Sequence, residues 1–117
     1  MKGSYTLKAN TEDYIRELKL LAHHIQETHG EFLKNIQEPI LLEVELPEGG
    51  IVPFLISSEG IRYTSDSSEA KHLINVGYRD LIRLVEKPSR VLRYIFEGRV
   101  RIRGDYKTIL STLQKLL

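Results

Sequence analysis

Apolar and polar residues alternate from Ile40 to Leu46, a pattern typical of a β-strand with one buried and one solvated face. Short turns connect this stretch to a second apolar strand over 51–57 and to a third over 61–65. Three successive strands with such short connections predict an antiparallel meander. Pro53 has no N–H to donate to a neighbouring strand, so the pattern predicts a sheet edge or a bulge at this position.

Two further strands are predicted in the second half of the chain. Residues 71–76 place His72, Ile74 and Val76 on one face, because side chains two apart in a strand point the same way. Residues 99–103 alternate three arginines with Val100 and Ile102.

Apolar residues recur at helical spacing in four other segments, which predicts four amphipathic helices. Asn10 or Thr11 caps the first, which ends near Gly30; Pro88 begins the third, and Gly104-Asp105 leads into the last. The four apolar stripes are Tyr14, Leu18, Leu21 and Ile25; Tyr78, Leu81, Ile82 and Val85; Val91, Leu92, Ile95 and Phe96; and Tyr106, Ile109, Leu110, Leu113 and Leu117. The whole pattern predicts an α+β fold, with a five-stranded, largely antiparallel sheet and helices packed on one face.

Length and composition narrow the class of protein. The chain has 117 residues, which favours one domain over residues 1–117. It contains no cysteine, so disulfides, thiol nucleophiles and cysteine-ligated metal clusters are excluded. There is no apolar run of about 18 residues or more and no apolar leader after the first residues, so we expect a cytoplasmic protein.

Charge is distributed unevenly along the chain. Residues 1–70 contain 6 Lys and Arg against 12 Asp and Glu, whereas residues 71–117 contain 11 against 4. Either a basic face meets an acidic partner or lipid head group, or the two halves neutralise each other in the folded protein. The arginines at 99, 101 and 103 form a row that Glu43 and Glu45 are candidates to oppose. No aromatic residues interleave with that row, so nucleic-acid binding is not expected.

Catalytic motifs are absent from the sequence. It contains no Gly-x-Ser-x-Gly elbow, no phosphate-binding glycine loop and no dinucleotide fingerprint, so we assign no catalytic residue and no cofactor and expect no enzyme activity. His23 and Glu27 are one helical turn apart, but this spacing is common on surface helices, and no metal site is assigned. His72 faces inward, either as a hydrogen-bonded core residue or as a ligand contact.

The stretch from Tyr78 to Leu117 resembles the sterol carrier protein family, the type-two sterol-transfer domain. That family has, in order, a helix, a proline-initiated helix, a Phe-x-Gly-Lys turn, an alternating strand ending in Gly-Asp and a closing amphipathic helix. The corresponding residues here are Asp80-Leu81-Ile82-Arg83-Leu84, Pro88, Phe96-Glu97-Gly98-Arg99 and Val100-Arg101-Ile102-Arg103-Gly104-Asp105. The N-terminal helix and the meander agree in pattern.

The chain also departs from that family at several positions. Arginines stand where the family has lysines, Glu97 replaces its usual Gln, and Lys71 stands where an Asp often opens the fourth strand. Residues 114–117 differ from the Ser-Lys-Leu peroxisomal address, so a peroxisomal location is not carried over.

The resemblance implies a hydrophobic tunnel between sheet and helices that binds or transfers a fatty acyl, isoprenoid or sterol-like lipid without chemistry. The expected tunnel residues are Phe54, Ile56, Tyr63, Ile74, Val76, Leu81, Leu84, Leu92, Ile95, Phe96, Val100, Ile102, Ile109, Leu110, Leu113 and Leu117, the last four forming a helical lid. A head group needs one directed contact, for which the candidates are His72, Arg62 and Arg93.

The sequence also suggests two further partners, an anionic membrane and a second copy of the chain, and one alternative function. The basic C-terminal half and the amphipathic last helix suit transient contact with an anionic membrane. The alternative function is a filled-core interaction, dimerisation or scaffold module of the same fold with no lipid cargo, which leaves a homodimer open. Periodicity alone does not separate a large packed core from a cavity.

Overall fold

The computed structural model describes residues 11–65 and 70–117; the candidate cap Asn10 lies outside these residues. Helix α1 spans Thr11–Thr28, and the short helix α2 spans Gly30–Leu33. Gly30, expected to end the first helix, therefore begins a second one after a break at His29. The strands are β1 (Ile40–Glu45), β2 (Ile51–Ser57), β3 (Gly60–Tyr63), β4 (His72–Gly77) and β5 (Val100–Arg103). The remaining helices are α3 (Tyr78–Glu86), α4 (Val91–Phe96, preceded by a 3-10 turn over Pro88–Arg90) and α5 (Tyr106–Leu116).

The five strands form one sheet in the order β3-β2-β1-β4-β5. The predicted meander of β1, β2 and β3 is confirmed, and β4 pairs antiparallel with β5. The central pair β1–β4 is parallel, with Ile40 opposite His72 and Val44 opposite Val76. The predicted α+β fold with a largely antiparallel sheet is thus confirmed.

Pro53 lies in β2, which has a neighbour on each side and is not an edge strand. Its carbonyl accepts a 3.1 Å hydrogen bond from the N–H of Thr64, one residue beyond the end of β3. Because the N and C=O of a strand residue point to the same side, the position that lacks an N–H also faces the end of β3. Proline is therefore tolerated inside the sheet where its neighbour strand stops.

The inner face of the sheet carries the core. The alternating strand positions predicted to face inward, among them Ile40, Val44, Ile74 and Val76, are nearly inaccessible to solvent. Residues of α1, α3 and α5, including Leu18, pack against them in a single apolar cluster. The helices therefore cover this face, as the amphipathic patterns predict.

The outer face carries a polar network across three strands. Asn75 of β4 accepts a hydrogen bond from Arg101 of β5 and donates one of 3.3 Å to Glu43 of β1. Arg101 also forms an ion pair of 3.0 Å with Glu45. The acidic residues of β1 thus oppose one arginine of the row, although β4 separates the two strands. Arg99 instead pairs with residues outside the sheet, Glu97 and Asp80.

No helix in the described part of the chain is both long and apolar enough to cross a lipid bilayer.

Candidate functional site

A cavity of about 60 Å³ lies between the inner face of the sheet and the helices. All of its wall residues are apolar. The sheet contributes Leu42, Val44, Phe54, Ile56, Ile61, Ile74, Val76 and Val100. The helices contribute Leu18, Leu21, Ala22, Ile25, Leu81, Leu84, Leu113, Leu116 and Leu117. Such a wall offers dispersion and apolar burial to a ligand, and it has no titratable group for acid–base chemistry.

Local sequence explains how the helices reach this cavity. In α1, Leu18, Leu21, Ala22 and Ile25 are three or four residues apart, so one stripe of the helix faces the sheet. Ala22 is the smallest residue of the wall and leaves space beside Phe54 and Ile61. The void therefore lies under the middle of α1.

A second pocket of about 150 Å³ adjoins the cavity, because Leu21, Ile25, Leu116 and Leu117 border both. Its other lining residues are His24, Thr28, His29 and Val85. This mouth lies where the C-terminal turns of α1, α3 and α5 meet. Here polar side chains stand next to the apolar wall.

Many of the expected tunnel residues lie in the wall of the cavity. These are Phe54, Ile56, Ile74, Val76, Leu81, Leu84, Val100, Leu113 and Leu117. Ile109 is fully buried in the core beside the cavity, while Ile102 and Leu110 are half-buried and pack against that core. Ile95 is placed in the same way.

Three expected tunnel residues lie at the surface instead. Phe96 is 82% exposed and Leu92 41% exposed, because α4 buries Val91 and Tyr94 as its inward side chains. Tyr63 is 47% exposed at the end of β3, where its ring packs edge-on against Phe54 at 6.0 Å. The structure therefore corrects the expected place of Phe96 and Leu92, whereas Tyr63 lines a pocket that shares Phe54 with the cavity wall.

His72 is a buried hydrogen-bonded residue and borders neither the cavity nor the mouth. Its Nδ1 accepts a 3.1 Å hydrogen bond from the backbone N–H of Asp105, so its Nε2–H donates to Glu38 at 2.8 Å. That hydrogen bond is the main cause that lowers the pKa of Glu38 below its ordinary value. Both ring nitrogens are occupied within the protein, so the expected head-group contact is not formed by this side chain.

The other two head-group candidates are not part of the cavity wall, although Arg62 lines a pocket that shares Ala22, Phe54 and Ile61 with it. Arg62 is exposed, stands opposite Leu55 of β2 and pairs with Glu59. Arg93 is exposed on α4, 3.6 Å from Glu97. Polar side chains stand next to the cavity in two places. His24, Thr28 and His29 lie at the mouth, and Lys19, His23, Gln26 and Arg62 line a pocket that shares Ala22, Phe54 and Ile61 with the cavity wall. None of the residues at the mouth was predicted as a ligand contact.

The spacing of His24 and Thr28 along α1 indicates that they lie close to the cavity. His24 and Thr28 are each three residues after a cavity residue, Leu21 and Ile25, so they follow the edge of the buried stripe. The predicted stripe of α1 contains Leu18, Leu21 and Ile25 of the wall but not Ala22. Within residues 11–65 and 70–117, no three His, Asp or Glu side chains are grouped to hold a metal ion. His23 and Glu27 form a solvent-exposed pair at 3.4 Å.

Comparison of the sequence with known proteins gives no match, either to a protein-family model or to a curated protein. Comparison of the structure with solved structures gives several matches. Sterol carrier protein 2 from Yarrowia lipolytica, in its apo form, has a TM-score of 0.70 at 12% identity, covering 95% of this chain and 94% of that one. Palmitated sterol carrier protein 2-like 2 from Aedes aegypti has a TM-score of 0.65 at 11% identity, covering 92% and 95%.

A third solved structure is a ubiquinone synthesis protein, UbiJ-SCP2, with a TM-score of 0.55 at 12% identity, covering 84% of this chain and 94% of that one. Identities this low establish the architecture and not the activity. The matches extend over nearly the whole of each chain, in agreement with the order of helices and strands described above. This chain therefore has the fold of sterol carrier protein 2.

Proposed function

We propose that this protein binds one apolar molecule of the fatty acyl, isoprenoid or sterol-like class and carries it without chemistry. The observation that carries the proposal is the wall of the cavity, in which every residue is apolar. The Aedes aegypti structure of the same fold is described as palmitated, which supports a lipid of this class. Each methylene transferred from water to such a wall contributes about 0.8 kcal/mol.

The size of the cavity sets a condition on the proposal. Its volume of about 60 Å³ is less than half that of the roughly 150 Å³ apolar cavity that holds benzene. A lipid chain therefore enters only if the wall moves. We assign that movement to the end of α5, because Leu113, Leu116 and Leu117 border the cavity, whereas the beginning of α5 is held by its Asp105 cap and by buried Ile109.

The mouth supplies a place for the polar end of the ligand. A chain that lies along the apolar wall reaches solvent between α1 and α5, beside His24, Thr28 and His29. Neutral histidine and threonine each donate and accept hydrogen bonds, so an alcohol, an ester or a carboxyl end is suited to this position.

The small volume also favours the second candidate, a filled-core interaction module with no cargo. In such a protein the void is an ordinary packing defect, and the fold serves to bind a partner or a second copy of the chain. The likeness to UbiJ-SCP2, a ubiquinone synthesis protein, is compatible with either function.

Native mass spectrometry of the purified protein, followed by organic extraction, separates the two. The carrier is expected to retain a stoichiometric lipid or to take one up from added fatty acids, with a rise in melting temperature. Ala22→Leu, which projects a branched side chain into the cavity, is expected to weaken that uptake at least about tenfold. Ala70→Leu, at a site outside the cavity wall, is the matched control.

A bare chain mass, together with no binding and no thermal shift for any added lipid, would contradict the carrier. Equal uptake by Ala22→Leu and the wild type would place the ligand elsewhere. The oligomeric mass in the same spectrum then tests the filled-core module.

A further inference from the structure

Helix α4 presents an apolar surface to solvent. Phe96, at 82%, is more exposed than any other large apolar side chain in the described part of the molecule. Leu92 lies one turn earlier on the same face of the helix and is 41% exposed. Val91 and Tyr94 are buried and hold the helix against the core. The exposed pair is therefore fixed in position on a rigid element.

Three cations lie close to this pair along the chain, at positions 87, 90 and 93. Lys87 and Arg90 precede Leu92, and neither forms an ion pair with any residue that the structure describes. Arg93 is 62% exposed at its side chain and lies 3.6 Å from Glu97, an acid already bound by Arg99 at 2.8 Å. We name the surface formed by Lys87, Arg90, Leu92, Arg93 and Phe96 the α4 face. It combines two apolar side chains with an excess of positive charge.

The α4 face adjoins the mouth of the cavity. Val85 borders the mouth, and Lys87 follows it by two residues at the end of α3. Consecutive Cα atoms are 3.8 Å apart, so these two residues are separated by at most about 7.6 Å. Lys87, at one end of the α4 face, thus lies next to the opening of the cavity.

We propose that the α4 face docks on an anionic lipid bilayer, with Phe96 and Leu92 entering the acyl boundary and the cations contacting lipid head groups. The docking rests on the exposed apolar pair and on Lys87 and Arg90, which form no ion pair with a described residue. Its purpose, loading at a membrane, rests on the proposed function. A fluid bilayer accepts two isolated apolar side chains and a ring of cations. A stable protein interface instead requires roughly 1,200 Å² or more of complementary surface.

The protein has no tryptophan, so a single introduced indole reports its own surroundings. In Phe96→Trp, fluorescence is expected to shift to shorter wavelength with vesicles containing phosphatidylglycerol and to remain unchanged with pure phosphatidylcholine. Raising salt to about 1 M, where the screening length is about 3 Å, is expected to reverse the shift. Leu20→Trp is the matched control, because Leu20 is a 59% exposed apolar residue on a different helix, α1.

Removal of the Phe96 side chain tests the same docking without a fluorescent probe. Phe96→Ser removes an exposed side chain and leaves the core intact, so the variant is expected to fold and to bind the anionic vesicles about tenfold more weakly or worse. Arg90→Gln with Arg93→Gln is expected to reduce binding further at low salt. Circular dichroism verifies the fold of each variant.

Several results would overturn the docking. These are no shift at position 96, an equal shift with phosphatidylcholine, or an equal or larger shift at position 20. A wild-type dimer that Phe96→Ser converts to monomer would assign the α4 face to self-association instead. The vesicle measurements need no cargo, so their failure is distinguishable from failure of the extraction experiment.

Discussion

The Nδ1 atom of His72 accepts a 3.1 Å hydrogen bond from the backbone N–H of Asp105, which lies 33 residues further along the chain. This contact joins the first residue of β4 to the turn that follows β5, where Asp105 caps α5 through a bond from Lys107. Gly104 lies directly against the imidazole. The start of the last helix is thus positioned by a residue of a neighbouring strand.

Gly104→Ala is expected to destabilise the protein strongly. Gly104 has φ +116, and a Cβ there would lie 2.5 Å from His72 Nδ1 and 3.0 Å from the carbonyl oxygen of Lys71. The backbone strain of a non-glycine residue at this φ and the overlap of its Cβ with His72 both destabilise the fold. Together they are expected to lower the free energy of unfolding by about 3 kcal/mol or more. Urea unfolding measures it. Gly98→Ala is the control, because Gly98 has φ +77 with open space around it, and about 1 kcal/mol is expected there. Equal losses would show that the contact with His72 has no effect.

His72→Leu is expected to lower the free energy of unfolding by about 2 kcal/mol, since the N–H of Asp105 loses its buried acceptor. His72→Asn places an acceptor near the position of Nδ1 and is expected to recover part of that loss. Thermal unfolding of the two variants makes the comparison. If Asn is no better than Leu, the hydrogen bond is not what stabilises this corner.

Stability is expected to fall in acid through Glu38. Its pKa in the folded protein is lowered, chiefly by the hydrogen bond from His72. A lowered folded pKa means that the contribution is complete above the unfolded pKa, about 4.5, and is lost as pH falls through the folded value. The pKa of Asp105 is lowered as well, mainly by its bond from the Thr108 hydroxyl, and adds in the same direction.

Glu38→Gln is therefore expected to flatten the acid side of a plot of unfolding free energy against pH, measured with urea from about pH 7 to about pH 3. Glu48→Gln changes an exposed carboxylate in the turn after β1 and is expected to leave the profile as in the wild type. Identical profiles for Glu38→Gln and the wild type would contradict this assignment.

Ala22→Val is expected to stabilise the ligand-free protein by about 1 kcal/mol. The two added methyl groups enter the 60 Å³ cavity and gain about 1.6 kcal/mol of burial, reduced by the lower helix propensity of valine. Chemical unfolding of delipidated protein is the measurement. Ala70→Val provides the reference outside the wall, and a loss of stability in Ala22→Val alone would show that the wall leaves no usable space.

The strands of this chain could be predicted from the sequence because the alternation of apolar and polar residues is a local property. From Ile40 to Leu46 the even-numbered residues are all apolar, and the structure buries them, with Leu42 half-buried. The parallel pairing of β1 with β4 is a long-range choice that no local pattern encodes. The sequence therefore predicted the strands better than it predicted their neighbours.

The α4 residues show why part of the site was not predictable. The six-residue helix Val91–Phe96 is apolar at every position except Arg93, so its periodicity does not define one buried face. The packing of α4 buries Tyr94, which the predicted stripe omitted. It leaves Leu92 and Phe96 exposed to solvent. In the longer α1, by contrast, the predicted stripe contains Leu18, Leu21 and Ile25 of the cavity wall and omits only Ala22.

The cavity also makes the protein a pressure-sensitive molecule. A void of about 60 Å³ per molecule corresponds to about 36 mL per mole, within the usual range of volume lost when a folded protein opens under compression. Compression acts on empty space and is indifferent to the chemistry of the wall. An occupant of the void removes that volume, so a loaded molecule resists pressure for a reason separate from the affinity of its cargo.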